Sequence, residues 1–210
     1  FKGGARGTLA GNNFRTTLAS YKTDMFRISI QDPVYNDADT PDVILNYTAP
    51  IPGGHALTVT AIGREIENED FVAGVGLGAK IMLGPHSFNF NAHHGEGLAA
   101  FSGVGTTLGF TGDVENGEPI SQTGIQAGFR YLFNEKLRAN IAYTAVNVDD
   151  EAETDYQGQR VNLIYNIIPE FEVGVEWRKY STAFGFANAA DGAQLLPEGQ
   201  QIEVMGKYRF

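Results

Sequence analysis

Apolar and polar residues alternate along most of this chain with a period of two. Such alternation marks a half-buried strand, because successive side chains leave a pleated backbone on opposite faces. In one segment Phe26, Ile28 and Ile30 stand against Arg27, Ser29 and Gln31. In another, Leu137, Ala139, Ile141 and Tyr143 stand against Arg138, Asn140 and Thr144, and Val161, Leu163, Tyr165 and Ile167 stand against Arg160, Asn162 and Asn166 in the same way. Twelve segments of this kind are predicted: 2–10, 14–21, 25–32, 42–49, 55–66, 71–83, 86–97, 120–133, 137–147, 158–168, 171–182 and 199–210. The first two alternate least well. No window of helical length sustains a 3.6 period, and no apolar run approaches the length of a transmembrane helix. In 71–83 the polar face is Gly74, Gly76, Gly78 and Lys80. Glycine weakens a strand unless the sheet bends or something comes close, and curvature of a closed sheet is the expected reason.

The connections between these segments carry the fold prediction. Read backwards from the C-terminus they alternate short and long. The short ones are 168–170, 134–136, 84–85 and 22–24, and the long ones are 183–198, 148–157, 98–119, 66–70 and 33–41. The stretch Ala49-Pro-Ile-Pro-Gly-Gly-His55 falls on the short side although it is longer than a tight turn. Outer-membrane barrels have short periplasmic turns and longer external loops, whereas a soluble β-sandwich has no reason to keep this order. The predicted fold is all-β, a transmembrane antiparallel up-and-down β-barrel over 1–210, with one apolar face toward lipid and one polar face toward a lumen. The last segment, Gln200 to Phe210, alternates Ile202, Val204, Gly206, Tyr208 and Phe210 against Glu203, Met205, Lys207 and Arg209. It resembles the closing strand of a bacterial outer-membrane barrel, in which the terminal Phe and the alternate apolar positions are read by the assembly machinery. At the other end, the first segment reads as a strand entered midway, so N-terminal strands are expected to precede it.

Charge sharpens this picture. The net charge of −10 argues against nucleic acid, which requires a basic footprint. Nineteen of the 25 acidic residues sit in the five long-loop regions, within the long connections or at their edges: Asp32, Asp37, Asp39, Asp42, Glu65, Glu67, Glu69, Asp70, Glu96, Asp113, Glu115, Glu118, Asp149, Asp150, Glu151, Glu153, Asp155, Asp191 and Glu198. They are expected to form a solvated outer surface or to hold divalent cations that bridge lipopolysaccharide. The polar strand faces instead carry Arg27, Arg64, Lys80, Arg130, Arg138, Arg160, Arg178, Lys207 and Arg209 against Glu172, Glu176 and Glu203. A cation facing lipid at mid-bilayer costs about 2–4 kcal/mol, so these side chains are expected to face the lumen and favour anions there. The candidate solute-binding residues are Arg27, Arg64, Lys80, Arg130, Arg138, Arg160 and Arg178, with Arg178 offset by Glu176 or Glu172 if the wall is internally paired. Trp177, Tyr165, Tyr143, Tyr208 and Phe210 suit interfacial aromatic girdles.

Candidate chemistry is sparse. The chain has no cysteine, hence no disulfide framework, Cys-based zinc site or thiol nucleophile. His93 and His94 precede Glu96, but neighbours in a strand face opposite ways, so His93 is expected in the lumen and His94 near the interface. His55 and His86 fall at short turns, and no Gly-x-Ser-x-Gly elbow occurs. The run from Gly74 to Ala79 mimics a dinucleotide fingerprint but lies within a strand instead of opening a helix. No catalytic residue, metal site or cofactor is predicted.

Several motifs together resemble one family, the DcaP-like porins. Phe26-Arg-Ile-Ser-Ile-Gln-Asp-Pro33 is similar to its strand ending in an acidic-Pro corner, and Asp37-Ala-Asp-Thr-Pro-Asp-Val-Ile-Leu-Asn-Tyr47 to its Asp-rich loop entering the next strand. Ala61-Ile-Gly-Arg-Glu65, Gly128-Phe-Arg-Tyr131, Val161-Asn-Leu-Ile-Tyr-Asn166 and Phe171-Glu-Val-Gly-Val-Glu176 follow in matching order. The resemblance covers about 25–210. It implies a Gram-negative outer-membrane porin, a homotrimer of sixteen-stranded barrels through which small anionic solutes such as dicarboxylates diffuse. About four N-terminal strands would then lie outside this sequence; a self-contained twelve-stranded barrel is the alternative. Membrane lipid, lipopolysaccharide and the anionic solute are the expected partners. A plugged structural or adhesive barrel without channel activity is the competing function. The segment 98–119, rich in Gly and Thr, is the expected inward-folding loop.

Overall fold

The computed structural model describes residues 17–33, 38–66, 71–102, 112–151, 153, 155–181, 184–185, 194–196 and 199–209. Strands β1 (Leu18–Lys22), β2 (Phe26–Gln31), β3 (Asp42–Ile51), β4 (His55–Glu65), β5 (Phe71–Leu83) and β6 (His86–Glu96) are followed by a one-turn helix, α1 (Ala99–Ser102). Then come the short β7 (Val114–Glu115) and β8 (Glu118–Pro119), the long β9 (Ser121–Leu132), β10 (Leu137–Val148), β11 (Asp155–Ile168) and β12 (Phe171–Tyr180), the short β13 (Phe184–Gly185) and β14 (Gln194–Leu196), and finally β15 (Gly199–Tyr208). Eleven of them form one antiparallel sheet in the order β1-β2-β3-β4-β5-β6-β9-β10-β11-β12-β15. Every long strand therefore pairs with its neighbours in sequence, an up-and-down meander. Eleven of the twelve predicted segments coincide with these strands to within a few residues; the segment 2–10 lies outside the described residues. None of the helices among the described residues is long and apolar enough to cross a membrane.

Strand lengths follow the bilayer argument. Nine of the strands, β3 to β6, β9 to β12 and β15, have 10 to 14 residues, enough for a tilted strand to span hydrocarbon. The register places one alternate set on a continuous outer face. One row across the sheet reads Ile81, Phe88, Phe129, Ile141, Val161, Trp177 and Ile202. These positions include many of the exposed large apolar side chains, among them Ile81, Ile141, Val161 and Ile202. An apolar surface this extensive on a monomeric sheet is a lipid or partner surface.

The turns explain the alternation of connection lengths. The stretch that looked too long for a turn is shortened from both sides, because β3 runs on to Ile51 and β4 begins at His55. Only 52–54 remain, with Gly53 and Gly54 at φ of +89° and +81°, backbone that other residues rarely adopt. His55 Nδ1 accepts a hydrogen bond from Met82 N (3.0 Å), and His86 Nδ1 one from Leu132 N (3.1 Å). Both histidines thus finish the ladder at the short-turn edge. His86 also stacks on Tyr131 at 4.2 Å, beside Phe129 and Phe133. Tyr131, Phe133 and Tyr208 gather near this edge, as a girdle would; Trp177 instead sits mid-strand, its Nε1 donating to Gln200 Oε1 (3.1 Å).

At the opposite edge the inward face carries buried apolar clusters beside its polar groups. Ile120, Val146, Val148, Tyr156 and Tyr180 form one buried cluster, and Ile62, Leu98 and Phe101, with Ile44 against them, form another. Except for those of the connection 97–120, these residues occupy inward strand positions. The connection itself is not a plain loop. It opens with α1 and contains the β7–β8 hairpin, which turns at Asn116 and Gly117 with φ of 53° and 86°, the Asn-Gly signature of a two-residue hairpin.

Candidate functional site

The inward face carries the cations, and their neighbours divide them into three environments. Arg64, near the long-connection edge, is fully buried. Its Nε lies 3.3 Å from Asp42 Oδ1 and its Nη1 3.0 Å from Asp113 Oδ2. Nη1 also donates to Gly97 O (2.8 Å), and the guanidinium lies 5.2 Å from the Phe101 ring. Asp113 Oδ1 accepts from Ala99 N at the start of α1 (3.0 Å). Arg64 therefore departs from the expected lumen cation. Two carboxylates neutralise it and the start of the connection 97–120 covers it. Asp42 and Asp113 likewise depart from the expected solvated acidic surface. Among the described residues no three His, Asp or Glu side chains converge as metal ligands would.

The placement of Leu98 accounts for Gly74, the first glycine of the stripe, and for Gly95 opposite it. A Cβ on Gly74 would lie 2.5 Å from Leu98 Cδ1, and one on Gly95 would meet the Gly74 backbone at 2.4 Å. Gly74 and Gly95 are paired inward positions on β5 and β6. The glycines admit the inward-folded connection, a reason more specific than the curvature expected from sequence. Gly124 does the same for His93, whose ring would touch an added Cβ at 2.1 Å. His93 is buried on the inward face, whereas His94 bonds Thr123 Oγ1 (2.8 Å) on the outer one.

The second environment is paired but wet. Near the short-turn edge Glu172 gathers Arg138 Nη2 (2.8 Å), Arg209 Nη2 (3.1 Å) and, more loosely, Lys207 Nζ (3.9 Å). Arg138 also donates to Asn166 Oδ1 (3.3 Å). Arg178 pairs with Glu203, not with Glu176 or Glu172 as the spacing along its own strand suggested. The register gives the reason. Arg178 faces Arg160 and Glu176 faces Glu203 directly across adjacent strands. Like charges in those positions repel, so the attraction runs along the diagonal. Glu176, buried, accepts from Asn162 Nδ2 (2.9 Å), and Arg160 lies 5.7 Å from the Tyr180 ring.

The third environment is open. Lys80 and Arg130 are exposed on the inward face and make no ion pair among the described residues. Arg27, at the sheet's N-terminal edge, makes only a long contact to Ser20 Oγ (3.5 Å). Around Arg130 the wall is built of carboxamides. Asn89, Asn91, Gln126, Asn140 and Asn162 line, with Arg130, Arg138 and Arg160, a concavity of about 520 Å³. Asn140 Nδ2 donates to Asn162 Oδ1 (2.7 Å), and Asn162 donates in turn to Glu176, a directional chain running across β10, β11 and β12. Sequence reasoning named the cations but not these amides, although they share the same alternation. Chemically this face is a polar wall of cations and amides.

No known protein-family model matches the sequence, and none of the curated proteins is similar to it in sequence. Solved structures do match in shape. The outer-membrane channel DcaP of Acinetobacter baumannii superimposes with a TM-score of 0.68 at 16% identity, over 93% of this chain and 62% of that one. The anion-selective porin from Comamonas acidovorans gives 0.62 at 11% identity, over 100% of this chain and 65% of that one. The outer-membrane protein OmpT of Vibrio cholerae, in its trimer form, gives 0.57 at 14% identity, over 93% and 64%. The chain thus spans less than two thirds of the length of each. With the meander, the apolar outer face and the polar inner one, this likeness establishes that the chain has the fold of the outer-membrane β-barrel porins, DcaP among them.

Proposed function

We propose that the chain forms the larger part of the wall of an outer-membrane diffusion channel that admits small solutes, anions before cations. The observation that carries this reading is the pair of exposed, unpaired cations, Lys80 and Arg130, beside a ladder of amides on the inward face. Fixed charge lining a water-filled passage sets which ions enter it. Small carboxylates, dicarboxylates included, are the natural organic anions for such a lumen. A bacterial outer membrane as the location, lipopolysaccharide and lipid as surroundings, and a homotrimer as the assembly belong to the same proposal. They are supported by the fold, by the apolar outer face and by the trimer form of OmpT.

One set of observations favours a second reading, a plugged structural or adhesive barrel. Arg64, Arg138 and Arg178 are all paired, and Leu98 and Phe101, at the start of the connection 97–120, pack with apolar side chains of the inward face. The deciding experiment is the reversal potential of the purified whole protein in a planar bilayer under a potassium chloride gradient. A steady conductance reversing toward the chloride potential is expected, and Arg130→Glu or Arg160→Glu should move it toward potassium. Absence of any conductance would leave the plugged barrel.

A further inference from the structure

The outer face changes character along one row. The row that holds Phe129, Ile141, Val161, Trp177 and Ile202 is apolar throughout. The next row toward the long connections starts the same way, with Phe90, Ala127 and Tyr143 on β6, β9 and β10. It then turns polar, with Gln159, Lys179 and Gln200 side by side on β11, β12 and β15, all exposed. Gln157, one step further along β11, is exposed as well. Among the described strand residues Lys179 is the only lysine or arginine on the outward face; Lys22, Arg27, Arg64, Lys80 and the cations of β9 to β15 alternate inward. It makes no ion pair among the described residues. The outward carboxylate of β11, Asp155, accepts from Asn147 Nδ2 (2.7 Å).

Trp177 sets the level of this patch. Tryptophan settles where one side of it meets apolar chains and its N–H meets polar groups, at the membrane–water interface. Here the indole stands in the apolar row, and its Nε1 donates upward to Gln200 Oε1 (3.1 Å). Lys179 lies two residues further along the same strand face, about 7 Å nearer the long connections. That is headgroup depth, where an outward cation escapes the penalty of mid-bilayer and meets lipid phosphate. The side chains of Gln157 and Gln159 make no hydrogen bond among the described residues. A carboxamide donates and accepts at once, as the hydroxyl and amide groups of an acylated sugar require. One cation among three carboxamides, with exposed Val161 and Ile202 directly below, therefore matches a phosphorylated sugar that carries acyl chains.

We propose that Gln157, Gln159, Lys179 and Gln200 form a binding patch for the sugar-phosphate headgroup of lipid A, the membrane anchor of lipopolysaccharide. The phosphate sits on Lys179 and the acyl chains lie along Val161, Trp177 and Ile202. This deepens the membrane surroundings proposed above and rests on reading the chain as part of an outer-membrane barrel.

The test is titration of the purified whole protein in detergent with lipid A and with the same glycolipid stripped of its phosphates, read by native mass spectrometry as lipid retained per protein. Lipid A should be retained about fivefold more strongly, the effect of one basic side chain at an anionic lipid surface. Lys179→Gln should abolish this preference, and Lys179→Arg should keep it. Gln159→Glu, which sets a carboxylate directly opposite Lys179, should abolish it too and stands in if Lys179→Gln does not fold. Equal retention of the two lipids, or a preference that survives Lys179→Gln in folded protein, would overturn the patch. If that variant loses its oligomer while the preference survives, the patch is a contact between copies. A protein that conducts in the bilayer and keeps heat-modifiable mobility, yet shows no phosphate preference, loses the patch and remains a barrel. One without heat-modifiable mobility is no barrel, and the patch falls with it.

Discussion

Arg64 and Arg130 are the same residue on the same face of one sheet, and they do opposite things. Arg64 is fully buried between Asp42 and Asp113, with Gly97 O as a further partner. Arg130 stands exposed among amides. Strand alternation put both side chains inward, but it did not decide which would meet water. That was decided by the described start of the connection 97–120, where Gly97 and Phe101 pack on Arg64, while Arg130 lies toward the other end of β9, away from them. A guanidinium covered by protein has to be neutralised, because an uncompensated buried charge costs several kcal/mol. One left in the lumen does not, and it keeps its charge for solute. The paired arginine holds the wall's lining in place, and the unpaired one is the group that an anion meets.

The most direct way to break this contrast is to remove the covered cation. Arg64→Leu leaves Asp42 and Asp113 facing each other without compensation, and loss of one partner from a buried ionic cluster typically destabilises by about 3–5 kcal/mol. The loss should be concentrated on the inward-folded connection. Limited proteolysis of the detergent-solubilised protein should therefore show new cleavage within 97–120 while the strands still resist. Adding Asp113→Asn to Arg64→Leu should restore part of the protection, since one of the stranded charges is gone. Unchanged protection in Arg64→Leu would mean that the apolar contacts of Leu98 and Phe101 hold the segment unaided.

How far the sequence foretold these two arginines follows from the range of the interactions involved. The strands were legible because alternation is local: 71–83 was bounded to the residue, and 86–97 and 137–147 to within one. The short–long order of the connections was legible for the same reason. Arg64's burial was not, because Asp42, at the start of β3, and Asp113, in the connection 97–120, lie far from it in sequence and carry the same signature as the acidic residues that stay in solvent. The pairing of Arg178 with Glu203 was hidden likewise, since it depends on the β12–β15 register. The open position at Gly128 was missed for another reason: alternation places this glycine inward, but only the packing around it distinguishes a filled glycine from an open one.

That distinction gives a smaller test of the same contrast. Gly74→Ala drives a methyl group to 2.5 Å from Leu98 Cδ1, and overpacking of this kind destabilises by about 1–3 kcal/mol. Gly128→Ala meets nothing closer than 3.7 Å and should stay within about 0.5 kcal/mol, as for substitutions without a packing penalty. The comparison is made on the temperature at which each variant loses its heat-modifiable mobility on gels. Equal shifts would mean that Leu98 moves aside freely, and the inward segment would then be a loose cover, not a packed one.

The smallest effect separates paired from unpaired charge in the lumen. Arg130→Gln removes a cation that no described carboxylate offsets. An interaction of roughly 0.5 kcal/mol with a passing ion, as expected for a charge a few ångströms away in a strongly screened setting, corresponds to about a twofold fall in the chloride-to-potassium permeability ratio. Replacing Arg138 and Glu172 together by glutamine removes an ion pair 2.8 Å across and leaves the net charge of the wall unchanged, so the ratio should hold. Both are read from reversal potentials under the same salt gradient. If the double variant shifts selectivity as far as Arg130→Gln does, the anion's path runs along the short-turn edge beside Glu172, and Arg130 stands off it. If only Arg130→Gln shifts it, the open middle of the wall is where the channel chooses its ions.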